Sequence, residues 1–232
     1  MSRVRCVGHD GRMVALRNMT DAVRVAASGV RGASSSGLLR PANPLIAAQV
    51  ARDLRKWGTS PAIGYSIGNA RTPEELAIID VDDALAPEVT FAEVEHRCDA
   101  LARGLLDRGL CSDDTVAILA RNSRAFAEVI VAVSRIGADL VYLNTGASAE
   151  QISTVLRNER VDLVVRDSEF AHLCPAGVPW LGTDDPAGVS LLDSLPSRNG
   201  IDRPARVGQH IILTAISGAV PRGTARASLP MD

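Results

Sequence analysis

Lysine is nearly missing from this chain: Lys56 stands alone among 25 basic side chains, and every other cation is arginine. Chemistry that needs a lysine after residue 56 therefore finds none in these 232 residues. The four cysteines, Cys6, Cys98, Cys111 and Cys174, are scattered without a paired short spacing, so they read as reduced thiols and not as a disulfide framework. His9, His96, His172 and His210 supply no close ligand pair, and no metal site is assigned. The acidic "DVDD" at Asp80 to Asp83 reads as a solvated hairpin turn and not as a cation site. No apolar run reaches the length of a membrane helix, and the first residues lack an apolar signal segment, so no membrane span and a cytoplasmic location are expected. With a net charge of -2, no nucleic-acid partner is expected either. No G-x-G-x-x-G follows a strand, which argues against a dinucleotide-dependent dehydrogenase. No nucleophile elbow and no Ser, His and Asp set are read.

What is present is a globular composition, 46% apolar and 22% charged, with enough length to bury a real core. Residues 1–42 read as an Arg- and Ser-rich arm with an amphipathic segment. Asn43 before Pro44 is a helix start, with Val50, Leu54 and Trp57 at helical spacing and Gly58 as its end. "LAIIDV" and "EVTF" predict a two-stranded ribbon. Thr90 with Glu93 forms a capping box before the apolar face of Phe91, Val94, Cys98, Leu101 and Leu105. "TVAILA", "DLVYLN" and "VDLVV" read as strands covered on both faces, alternating with helices that open at Ser123 and Ser148. "VPWLG" is a short strand, residues 184–208 a long connector, and "HIILT" the last strand. Trp57 and Trp180 read as packing anchors, and His210 as a structural histidine at a strand end. This alternation predicts an α/β fold, a mostly parallel sheet flanked by helices, with ligands beyond the carboxyl ends of the strands.

The stretches "TFAEVEHRCDALARGLLDRGL", "DDTVAILARNSRAFAEVIVAVSRIGADLVYLNTGASAEQISTVLRNERVDLVV" and "HIILT…PRG" together resemble the N-terminal part of the adenylate-forming enzymes. "GLLRPANP" and "RKWGTSPAIGY" are most similar to bacterial fatty-acid CoA ligases. The resemblance covers residues 22–226. It implies a core of 43–226, the N-terminal subdomain of the acyl-CoA synthetase-like fold, with 227–232 as a tail. It also implies ATP, Mg²⁺ and coenzyme A as cofactors: a carboxylate becomes an acyl-adenylate with release of pyrophosphate, and a thiol then takes the acyl group.

The family's phosphate loop reads approximately "LTSGTTGTPRG", and this chain reads "LTAISGAVPRG". Thr214, Pro221, Arg222 and Gly223 match, and Ser217 stands where the family has threonine. Thr214, Ser217, Gly218, Arg222 and Gly223 are thus the candidate nucleotide-binding residues of a degenerate loop. Ala215, Ile216, Gly218, Ala219 and Val220 depart from the pattern. A β-branched Ile216 at a positive-φ glycine position costs about 1–2 kcal/mol, and each lost charge-assisted hydrogen bond roughly 1.5–3 kcal/mol. Together they predict a loss of about a thousandfold in ATP affinity. The family's catalytic lysine lies downstream of this loop, so no catalytic residue is assigned. The chain is expected to be a truncated ligase, inactive alone. The alternatives are a non-catalytic module that docks on a full-length synthetase, or associates with itself through an uncovered sheet edge at "HIILT", and half of a ligase completed in trans.

Overall fold

The computed structural model describes residues 43–83, 87–184, 201–214 and 222–226; the predicted arm and tail lie outside them. Helix α1 (Pro44–Trp57) starts where Asn43 Oδ1 accepts the Leu45 N–H at 2.9 Å, and ends at Gly58. Helix α2 (Ala62–Arg71) follows. Strands β1 (Leu76–Ile79) and β2 (Glu88–Thr90) form the predicted antiparallel ribbon. Helix α3 (Phe91–Asp107) then begins on the full capping box: Thr90 Oγ1 accepts the Glu93 N–H at 3.3 Å, and Glu93 accepts the Thr90 N–H at 2.8 Å.

The main sheet follows as β3 (Thr115–Leu119), β4 (Asp139–Tyr142), β5 (Leu163–Arg166), β6 (Trp180–Gly182), β7 (His210–Thr214) and β8 (Arg222–Arg226). Its spatial order is β6-β5-β3-β4-β7-β8; the first five strands run parallel, and β8 is antiparallel to β7. Helix α4 (Arg124–Ile136) links β3 to β4, α5 (Ala149–Asn158) links β4 to β5, and a 3₁₀ helix (Ser168–Leu173) links β5 to β6. From β3 the chain steps one way to β4, then back across β3 to β5. With crossovers of one hand, helices after opposite steps must lie on opposite faces. The two cores follow that rule. Val116, Ile118, Leu140 and Val165 pack with α3 and α4, whereas Ala117, Leu119, Val141 and Val164 pack with α5 and Phe170 of the 3₁₀ helix. Each fully buried Val, Leu or Ile contributes about 1.5–3 kcal/mol.

Charge is built into the first core. Arg135 of α4 is fully buried and binds Glu95 Oε2 and Asp99 Oδ1, both at 2.5 Å, and the Glu95 carbonyl at 2.9 Å. Its guanidinium also stands 5.2 Å from the Trp57 ring centre, and Ser66 of α2 donates to Glu95 at 3.2 Å. One cation thereby ties α1, α2, α3 and α4 together. Trp57 is the packing anchor the sequence predicts, at 3% exposure.

Three expectations are corrected. "HIILT" is not an uncovered edge, because β8 pairs with β7 along its length, from His210↔Arg226 to Thr214↔Arg222. Arg222 and Gly223, read as loop, are the first residues of that covering strand. Trp180 is no core anchor: β6 is an edge strand, and the residue is 58% exposed with Arg166 against its ring. Of the long connector, 201–209 packs against the α4–β4 junction. Arg206 binds the Ser112 carbonyl at 2.7 Å and Asp139 at 2.9 Å, and Asp139 also accepts the Gln209 N–H at 2.7 Å.

This junction leaves no room for a methyl group. Gly137 ends α4 at φ 83°, where a Cβ would stand 2.3 Å from the Arg206 carbonyl, and a Cβ on Gly208 would stand 1.9 Å from the Ala138 carbonyl. Gly208→Ala is expected to cost about 1–3 kcal/mol through overpacking. Arg135→Ala is expected to cost about 3–5 kcal/mol, because it strands two acids and removes a buried partner. Urea denaturation of each variant beside the parent chain measures both; a change within error for either overturns the corresponding packing.

Candidate functional site

The carboxyl ends of the parallel strands gather one set of residues: Arg121 after β3, Asn144 after β4, Asp167 after β5, Thr183 after β6 and Thr214 at the end of β7. The sequence-predicted nucleotide residues divide here. Thr214, Arg222 and Gly223 come together as the base of the β7–β8 hairpin, in the register Thr214↔Arg222 and Leu213↔Gly223. Ser217 and Gly218 lie in residues 215–221, outside the described residues. The backbone ladder therefore closes the two ends of the loop on each other at the carboxyl edge of the sheet.

The acids at this end are occupied in stitching loops. Asp167 accepts the Arg121 N–H at 2.7 Å and the Thr183 hydroxyl, Glu169 pairs with Arg121 (Nη2 to Oε2, 2.8 Å), and Asp184 accepts the Ser168 N–H and hydroxyl, both at 2.6 Å. Among the described residues no cluster of three His, Cys, Asp or Glu side chains is placed to hold a metal ion. The "DVDD" turn has a specific role: Asp80 accepts the Arg124 N–H at 2.7 Å and Asp83 pairs with the Arg124 guanidinium at 3.0 Å, so the turn places negative charge on the amino end of α4.

A buried polar chain supports β7. The Tyr142 hydroxyl lies 2.8 Å from His210 Nδ1, and His210 Nε2 lies 3.2 Å from Ser134 Oγ, whose proton goes to the Ile130 carbonyl at 2.7 Å. Ser134 must then accept from Nε2–H, leaving Nδ1 to accept from Tyr142. Burial pushes the Tyr142 phenol up to about 12 and so keeps it a donor. A nucleophilic serine needs the opposite polarity, with histidine accepting its proton. His210 is thus a structural residue, as the sequence predicts.

One motif escaped the sequence reading. Gly64-Tyr65-Ser66-Ile67-Gly68 has the G-x-S-x-G spacing of a nucleophile elbow. It lies inside α2, however, where Ser66 is 2% exposed and bound to Glu95, so the strand-turn-helix elbow is absent.

A mostly parallel sheet with helices on both faces is an open α/β domain, whose ligand crevices lie beyond the carboxyl ends of the strands. Comparison with known proteins makes the assignment specific: the AMP-binding enzyme profile matches residues 67–209. The chain belongs to this family, the adenylate-forming enzymes. It is 28% identical over 176 residues to the probable non-canonical nonribosomal peptide synthetase CymA of Salinispora arenicola, covering 72% of this chain and 2% of that protein. It is 30% identical over 100 residues to the mitochondrial medium-chain acyl-CoA ligase ACSF2 of Macaca fascicularis, covering 43% and 16%. Among solved structures, the NpsA N-terminal subdomain of Klebsiella oxytoca aligns with a TM-score of 0.60 at 21% identity, covering 72% of this chain and 41% of that one. The O-succinylbenzoate coenzyme A synthetase of Bacillus subtilis in complex with AMP gives 0.58 at 22%, covering 71% and 41%. The chain thus spans less than half the length of each of these proteins.

The His210 pocket generates a pH prediction. Burial holds the imidazole below its ordinary value of 6.5, with Asp139 pulling weakly the other way. The unfolded chain then binds more protons in the window below 6.5, so stability is full above it and falls as pH drops toward the folded value. Burial raises the Glu95 carboxyl, which gives the opposite slope, but that slope is common to parent and variant and cancels in their difference. Unfolding followed across this window is expected to show a steeper acid loss in the parent than in His210→Gln; parallel curves would remove His210 as the cause.

Proposed function

We propose that this chain is the nucleotide-facing N-terminal part of an ATP-dependent acid–thiol ligase of the fatty-acid CoA ligase type, and that its own hold on ATP is weak. The observation that carries the reading is the β7–β8 hairpin, which emerges just beyond the family-matched residues and sets Thr214 opposite Arg222. The parental reaction supplies the chemistry: ATP, with Mg²⁺, activates a carboxylate as an acyl-adenylate, and coenzyme A accepts the acyl group. Thr214, Ser217, Gly218, Arg222 and Gly223 are the residues we assign to the phosphates. Backbone N–H groups and hydroxyls cradle the oxygens, while the arginine adds a charged fork.

The donor set fits this task only in part. Ala215 and Val220 carry no hydroxyl, and Ile216 and Ala219 put side chains where the family keeps glycine. Lys56 offers no substitute for the family's catalytic lysine, since it belongs to α1 and its Nζ rests 4.3 Å from the Trp57 ring centre. No residue of this chain is assigned a catalytic role.

Titration of MgATP into the chain, and into a version with the loop rewritten to "LTSGTTGTPRG", tests the reading. The rewritten loop is expected to bind at least about a thousandfold more tightly, and Arg222→Ala in that background to lose most of the gain. Tight binding by the natural loop would overturn the weak-binding part; no binding by either would overturn the assignment of the hairpin. ATP–pyrophosphate exchange that appears only when a relative's C-terminal region is added would favour completion in trans.

A further inference from the structure

At the opposite edge of the sheet from the hairpin, β5 ends in Arg166, a residue only 8% exposed. A guanidinium stays charged when buried, so its burial demands a partner of opposite charge. Among the described residues none forms an ion pair with it. The acids that follow it are engaged elsewhere: Asp167 with the Arg121 N–H and Thr183, Glu169 with Arg121, and Asp184 with Ser168. The Arg166 Nε is buried without a hydrogen-bond partner. Its neighbours are the Cys174 thiol, which stands within hydrogen-bonding reach of it, and the ring of Trp180, 4.4 Å from guanidinium carbon to ring centre; neither is a carboxylate, and the ring compensates a cation only in part. Across the β5–β6 ladder Arg166 faces Gly182, a residue with no side chain to occupy the space beside it.

That arginine lines a cavity of about 160 Å³ together with Val164, Ala171, Cys174, Val178 and Trp180, and it is the only charged residue in the lining. The volume holds about five water-sized groups. A planar fork of donors at one wall and apolar side chains at the others specify a ligand with one small, planar anionic head and a short apolar tail. A phosphate or sulfate fits the charge but not the walls, because its remaining oxygens would face Ala171 and Val178, whose side chains carry no donors.

We propose that this cavity binds a short-chain monocarboxylate, such as acetate to butyrate, its head on the Arg166 guanidinium and its tail against Ala171 and Val178. The bound anion supplies the counter-charge that the described residues leave out. The site lies roughly 15 Å from β7 by strand spacing alone, and it does not rest on the nucleotide reading.

The test is thermal unfolding of the purified chain in sodium butyrate against sodium chloride of equal ionic strength, with sodium phosphate as a third arm, each up to about 50 mM. A concentration-dependent rise in Tm with butyrate that is absent in Arg166→Met is the expected result. No rise in the parent chain, or an equal rise in Arg166→Met, overturns the site. A rise with phosphate as large as that with butyrate overturns the carboxylate assignment. Should Arg166→Met fail to fold, peptide-resolved maleimide labelling of Cys174 in the parent chain decides instead: butyrate is expected to slow it severalfold, and an unchanged rate overturns the proposal.

Discussion

Burial of β3 on both faces is the constraint from which the architecture follows. From Val116 to Leu119 its side chains point alternately into two separate cores, and all four are at most 1% exposed. A strand in that position must have a neighbour on each side and a helical layer above and below, since its backbone groups cannot reach water. β4 and β5 take the flanking places, and the connections between them carry α4 to one face and α5 to the other. The same geometry fixes where loops gather. All five parallel strands release their chains at one end, and the hairpin after β7 opens there because β7 adds to the outer side of β4.

The layer on the α3 and α4 face is held by charge as well as by apolar packing. Arg135 reaches two acids on α3 with separate guanidinium nitrogens while its flat surface stacks near Trp57. A second contact repeats the pattern, with Arg97 of α3 on the fully buried Glu128 of α4 at 2.6 Å. A lysine would present one compact, strongly hydrated ammonium and would not bridge two carboxylates and a ring at once. The near-exclusive use of arginine thus has a consequence in this core: the buried Arg135 serves several partners in a fixed plane. Such clusters add little net stability over an apolar core, but losing one member is costly, so they specify which helices pair.

The elements legible in the sequence are those with local signatures. Capping residues mark the starts of α1, α3, α4 and α5, and unbroken apolar runs mark β3, β4 and β5. What escaped has no local signature. Helix α2 lacks a side-chain cap and carries two glycines, Gly64 and Gly68, yet it forms because Ala62, Ser66 and Ile67 are buried and the Phe91 ring sits where a Gly68 Cβ would be. "RGTAR" shows no apolar alternation, and β8 exists through its ladder with β7. Trp180 looks like core by residue type but stands on an edge strand, where its partner is a cation. The ion cluster is silent too, because Glu95, Asp99 and Arg135 lie far apart in the chain and only the α3–α4 contact makes them neighbours. At the candidate site, Thr214, Arg222 and Gly223 were readable from the resemblance, whereas their mutual register came only from the structure.

That register separates the scaffold from the chemistry it presents. The pairing of Thr214 with Arg222 uses backbone groups alone, and the strands on either side supply its alignment through β4 and the Asp139 contacts to Arg206 and Gln209. The resemblance here is strong at both ends of "LTAISGAVPRG" and weak between them, and the strong ends are the residues that the sheet holds in register.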